Sequence, residues 1–106
     1  MALKPVVIAL NASGLATAQK VAEVLGAQVH GREGRVAQAD AWFANALDHA
    51  RDLFAAGVPI VGVCASGILI RAVAPLLVDK TTEPPVVSVS DDGSVVVPLL
   101  GGHHGA

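Results

Sequence analysis

Apolar positions in this chain fall into short strand-like runs separated by small-residue turns and by stretches of helical period. Pro5 to Leu10 is rich in valine and isoleucine, closes on Asn11-Ala12-Ser13-Gly14, and predicts a strand buried on both faces. From Leu15 the period changes. Leu15, Ala18, Ala22 and Leu25 share one helical face, with Thr17, Gln19, Lys20 and Glu23 opposite. Ser13 reads as the cap of that helix and Gly26 as its stop. Ala27 to His30 predicts a short strand near a sheet edge, and Gly31 to Arg35 a charged loop. The second helix has the cleanest pattern: Phe43, Ala46, Leu47, Ala50, Leu53 and Phe54 follow the i, i+3, i+4, i+7 rule. Asp40 is its expected cap, and Gly57 with Pro59 its end. On this reading Trp42 packs at the helix start and His49 lies on the solvated face.

Pro59 to Arg71 organises the rest. Ile60 to Cys64 carries no polar side chain, as a central parallel strand covered on both faces would not. Ala65-Ser66-Gly67 turns the chain into a helix from about Ser66 to Leu77. That helix is apolar almost all round, so burial on several sides is expected, and Pro75 should kink or end it. Pro85 to Ser90 predicts a strand, Asp91 to Ser94 a tight turn, and Ser94 to Val97 a strand returning from it, with Asp92-Gly93 as the hairpin signal. The alternation predicts an α/β fold: three layers, α/β/α, with a mainly parallel sheet ending in a β-hairpin. Ligands in such sheets gather outside the carboxyl ends of the strands, where the strand order reverses. Three small-residue turns follow strand ends, at Asn11 to Gly14, Ala65 to Gly67 and Gly101 to His103. Two or more of them are expected on one rim.

Composition narrows the function classes. A chain of 106 residues is one domain. Its 53% hydrophobic against 15% charged content suggests apolar surface meant for a partner or a further domain. A net charge of -2 and 3% aromatic residues argue against nucleic acid, which needs a basic stripe or stacking platforms. The single cysteine allows no internal disulfide and suits a reducing cytoplasm. Val6 to Leu10 is too short to span a membrane, and no signal-peptide pattern precedes it, so a cytoplasmic location with no membrane association is expected.

The candidate chemistry is sparse. The first N–H groups after Ala65 lack intrahelical partners and attract anions, and Arg71 lies where it can reach back towards the same anion. Ser66, Gly67 and Arg71 are therefore candidate ligand-binding residues, with Ser13 on the neighbouring turn. An alternative stays open: Ser66 as a plain cap, Gly67 as a packing glycine, Arg71 as the partner of a surface carboxylate. Gly101-Gly102-His103-His104-Gly105 has the form of a strand-to-helix turn whose helix lies beyond Ala106. Gly101 and Gly102 would approach a ligand there, and His103 or His104 would act as acid or base near neutral pH. The alternative is a flexible tail. Adjacent histidines alone make no metal site, so none is expected. Cys64, ending a buried strand, reads as a small core residue. Neither a P-loop nor a dinucleotide fingerprint is present.

Ala65-Ser66-Gly67-Ile68-Leu69-Ile70-Arg71-Ala72-Val73-Ala74-Pro75-Leu76-Leu77, then Asp79-Lys80, Pro85-Val86-Val87, Asp92-Gly93 and Val97 to Ala106 resemble the N-terminal domain of the cobalamin biosynthesis protein CbiG. The resemblance covers about the last half of the chain; the first half is similar only through Ile8 to Gly14. Glu83-Pro84-Pro85 stands where the family more often has aspartate-proline, and the chain stops inside the family's Gly-His-x-Gly-Ala-Asn motif. The resemblance implies a single CbiG N-terminal-like domain over residues 1–106, with a last helix and a downstream domain beyond it. It further implies a ligand that is a carboxylate-rich precorrin or cobalt-precorrin, with cobalt present only as part of that substrate and no intrinsic cofactor.

Two functions follow from the resemblance. In the first, the domain belongs to a cobalt-precorrin-5A hydrolase that opens the substrate's δ-lactone with loss of acetaldehyde, working with a C-terminal CbiG domain. In the second, it is a non-catalytic precorrin-binding or interaction module, fused to or partnering the ring-contracting precorrin-3B methyltransferase. A generic α/β ligand sensor is a third reading. Apolar sheet surface left uncovered by the absent helix would favour homo-oligomers.

Overall fold

A computed structural model describes residues 3–77 and 83–100. Its strands are β1 (Val6–Ala9), β2 (Gln28–Arg32), β3 (Ala41–Phe43), β4 (Ile60–Val63), β5 (Val86–Val89) and β6 (Val96–Leu100). The helices are α1 (Leu15–Leu25), α2 (Ala46–Ala55) and α3 (Ser66–Val73). The six strands form one sheet in the order β3-β2-β1-β4-β5-β6. Every neighbouring pair is parallel except β5 and β6, which form the expected antiparallel hairpin.

All four residues of β1 are buried because side chains alternate between two covered faces. Val7 and Ala9 meet Ala18 and Ala22 of α1, together with Val29, Val36, Val63 and Val89. Val6, Ile8 and Leu10 point the other way, into a core with Ile60 and Val86 from the sheet and Phe54, Leu69 and Val73 from α2 and α3. The result is the three-layer α/β/α arrangement, with α1 on one side and α2 beside α3 on the other.

The helices end as their sequences dictate. Gly26 adopts the left-handed conformation (φ 63°) that closes α1. Pro75 sits in a tight turn, Ala74–Leu76, directly after α3, and so ends that helix. Arg51 of α2 donates from Nε to the Ala72 carbonyl at 2.9 Å and from Nη2 to that of Arg71 at 3.4 Å. A cation thus satisfies the last carbonyls of α3 and fastens the two helices together.

Several local expectations are corrected. The second helix starts at Ala46, and its cap is Asn45, whose side chain accepts from the Asp48 N–H; Asp40 instead accepts from the Val29 N–H at 2.8 Å. Phe43 and Trp42 belong to the edge strand β3, and Trp42 is 45% exposed. Strand β2 runs on through Gly31 and Arg32, and is second from the edge because β3 pairs outside it. The helix α3 is not buried all round: Ile70 is 49% exposed. Ser13 does not cap α1, whose N-cap is Gly14 with no side-chain hydrogen bond.

In the hairpin, the Gly93 N–H donates to the Ser90 carbonyl at 2.9 Å and Gly93 takes φ 77°. The Asp92 carboxylate accepts from Ser90 Oγ, Ser94 Oγ and the Ser94 N–H, which holds its pKa down at about 2. A bulge skips Leu99 in the pairing and accommodates Pro98, which has no N–H to donate, on the edge strand.

Candidate functional site

Strands β1 and β4 lie side by side, yet the chain leaves them in opposite directions, to β2 and to β5. Their carboxyl ends are therefore the reversal point of the sheet, where α/β folds place ligands. The turns at 11–14 and 65–67 follow these two strands and share this rim, as expected. Gly101, Gly102, His103 and His104 lie outside the described residues. Leu100, just before them, pairs with Val86 at the amino end of β5, on the other rim.

The two turns differ in charge. Beyond β5, Asp91 leans over the β1 turn, accepting from Ser13 Oγ at 2.6 Å and, through its carbonyl, from Thr17 Oγ1 at 2.5 Å. A Cβ on Gly14 would lie 2.8 Å from Val63 Cγ1 and 3.1 Å from the Asp91 carboxylate, so only glycine fits between them. The Ser13 hydroxyl is thus committed to a carboxylate that repels other anions. Burial, aided by the same Asp91, pushes the Cys64 thiol up to about 11. The thiol is protonated at neutral pH and is no nucleophile. Ser88, buried, donates to the Cys64 carbonyl at 2.9 Å and ties β5 to the end of β4.

The α3 turn is open. Ala65 is its N-cap in extended conformation, with no side-chain cap bond, so Ser66 does not cap the helix. A Cβ on Gly67 would meet nothing within 4 Å, which removes packing as the reason for that glycine. A cleft of about 290 Å³ lies beside this turn, between α3 and the start of α2. Ile68 and Arg71 form its α3 wall and Leu10 contributes from the end of β1. Residues 44–47 close it at the α2 start, and Arg32 enters from the end of β2. Among the described residues no carboxylate lines it. A larger groove of about 490 Å³ lies along α1, but Glu23 and Asp40 are among its walls, which disfavours an anionic ligand there.

Behind β3, His30 Nδ1 and His49 Nε2 are 2.8 Å apart, and the His49 ring stacks on Phe43 with centroids 4.7 Å apart. One nitrogen must donate and the other accept, so at most one of the two rings is protonated while the bond holds. Burial lowers both pKa values, and His49 lowers that of His30 further. This corrects the solvated reading of His49. Arg32 and His30 were missed because both sit on the extended β2; the Asn45-x-x-Asp48 spacing did signal the true helix start. Among the described residues no group of three or more His, Cys, Asp or Glu is placed to hold a metal ion, and no helix is long and apolar enough to cross a membrane.

Fold and rim together define an α/β protein with a cationic cleft at the reversal point of a mainly parallel sheet. Residues 48–106 match the family described as cobalamin synthesis G N-terminal, and the chain belongs to that family. It is 39% identical over 66 residues to the cobalt-precorrin-5A hydrolase of Salmonella typhimurium, covering 62% of this chain and 18% of that protein. To the cobalt-precorrin-5A hydrolase of Priestia megaterium it is 38% identical over 53 residues, covering 50% of this chain and 14% of that protein. The chain thus spans less than a fifth of the length of these curated relatives. No solved structure matches it. The matched family region starts within α2, so it includes the α3 turn and Arg71 but leaves out Arg32.

Proposed function

We infer that this chain is the cytoplasmic, precorrin-binding domain of a cobalt-precorrin-5A hydrolase-like protein, taking part in opening the substrate's lactone with release of acetaldehyde. The observation that carries this reading is the open α3 turn beside a cleft that holds Arg71 and, among the described residues, no carboxylate, in a chain of the cobalamin synthesis G N-terminal family. Ser66 and Gly67 offer helix N–H groups and Arg71 a guanidinium, all suited to carboxylates. The base that activates water is assigned to His103 or His104; because Leu100 before them ends on the other rim, they would act on a part of the substrate away from the carboxylates held at the α3 turn.

A second reading has its own support. Among the described residues, no histidine, cysteine or carboxylate lines the α3 cleft, and Cys64 nearby on the rim is held protonated. This favours a binding module that presents the precorrin to a catalytic partner, either a C-terminal CbiG domain or a precorrin-3B methyltransferase.

One experiment separates the two. The chain is mixed with cobalt-precorrin-5A, and both the absorbance shift on binding and the acetaldehyde released are followed. Acetaldehyde release that is lost in Arg71→Ala and in the His103→Gln/His104→Gln pair supports the hydrolase. A saturable absorbance shift without acetaldehyde assigns the module. Neither signal refutes both readings.

A further inference from the structure

We propose that Arg32 and Arg71 are two jaws of a dicarboxylate subsite, and that the cleft between them grips one carboxylate-bearing edge of the tetrapyrrole while the ring stays outside. This deepens the binding role inferred above and rests on it. Arg32 is named by no sequence motif and lies outside the matched family region. Three observations carry the assignment.

The first is the state of the guanidiniums. Arg51 is committed to the carbonyls ending α3. Neither Arg32 nor Arg71 has a hydrogen-bond or ion-pair partner among the described residues, yet the fold brings both to one cleft from elements far apart in sequence. A half-buried arginine such as Arg32, held by β2 pairing without an internal partner, is available to a ligand.

The second is the remaining lining. Leu10, Leu47 and Ile68 are apolar and no carboxylate is present among the described residues, so a charge pair formed here is less screened than on the open surface. The third is size. A cleft of about 290 Å³ lies at the small end of ligand pockets, too small for a macrocycle but adequate for short acid side arms. The exposed turn at Ala65 and Gly67, where nothing lies within 4 Å of a Gly67 Cβ, leaves room for the ring outside.

The test is a fluorescence titration of the chain with uroporphyrin, a stable carboxylate-rich tetrapyrrole, and with coproporphyrin, which carries fewer carboxylates. Arg32→Ala and Arg71→Ala should each weaken uroporphyrin binding about tenfold or more, as loss of a charge-assisted hydrogen bond does. Both should also erase the preference over coproporphyrin, with unchanged melting temperatures. Arg35→Ala, on the exposed turn after β2, should change nothing. Glutarate should compete better than inorganic phosphate. Unaltered binding in Arg32→Ala with loss in Arg71→Ala overturns the two-jaw subsite and leaves the binding role standing. Phosphate competing as well as glutarate overturns the dicarboxylate assignment. No binding of either porphyrin by the unaltered chain removes the binding role, and the subsite with it.

Discussion

Gly62→Ala tests how the sheet sets the position of the rim. Gly62 is a buried position of β4 facing α3, and an added Cβ would lie 2.7 Å from Leu69 Cδ1, 3.0 Å from Leu69 Cδ2 and 3.1 Å from Cys64 Sγ. Carbon atoms in contact prefer about 3.5–4.0 Å, so Leu69 or the whole helix must retreat by about 1 Å. Leu69 is 1% exposed and has no free space to turn into. Overpacking of this kind costs about 1–3 kcal/mol. The reduced freedom of the unfolded chain returns about 0.4–1 kcal/mol. The net expectation is a loss of about 1–2 kcal/mol, a drop in melting temperature of about 5–15 °C for a domain of this size. Leu69→Ala alone empties the same space and should cost about 2–5 kcal/mol. In the double variant the new methyl group occupies part of that space, so the combined loss should fall short of the sum by about 1 kcal/mol or more. Urea unfolding followed by circular dichroism on all four proteins reads the cycle. A Gly62→Ala chain as stable as the parent, or strictly additive losses, would refute the packing described for β4 and α3.

Two further outcomes follow from the perturbed side chains. His30 and His49 both have pKa values below the ordinary 6.5, mainly through burial. Below that value the unfolded chain binds more protons than the folded one, so their stabilisation is complete above about pH 6.5 and is lost as pH falls through the folded values. The urea midpoint should therefore drop between about pH 7.5 and about pH 5.5, and less steeply in His49→Gln; an unchanged slope in that variant would sink the assignment. Cys64, with its thiol at about 11, should react with iodoacetamide at mildly alkaline pH about 100-fold more slowly than a free cysteine, and unfolding in urea should restore the rate. A thiol equally reactive in the folded chain would show that the end of β4 is open.

The overall fold was legible because its parts are locally determined. Valine-rich runs, helical spacing, Gly26, Pro75 and Asp92-Gly93 each act within a few residues, and each marks a boundary that the structure keeps. Failures came where one pattern served two elements. Phe43 continues the apolar spacing of Ala46, Leu47 and Ala50, yet it also pairs opposite Arg32 as the last residue of β3. Periodicity alone cannot separate those cases. Asn45 decides between them, because its side chain already holds the Asp48 N–H and starts the helix after it.

The rim shows a deeper limit. By local chemistry the turns after β1 and β4 look equivalent, each small, each with a serine, each leading into a helix. Their difference comes from residues far away in sequence. Ser13 meets Asp91, 78 residues on, which closes the first turn with a negative charge. The α3 turn instead borders a cleft that Arg32 enters through the pairing of β2 between β1 and β3. Turn sequence says where backbone N–H groups are free; the strand order decides which charges arrive beside them. A carboxylate would therefore be repelled from the Ser13 side and attracted to the Arg71 side of one continuous rim, and the proposed carboxylate-rich ligand would be oriented by that asymmetry.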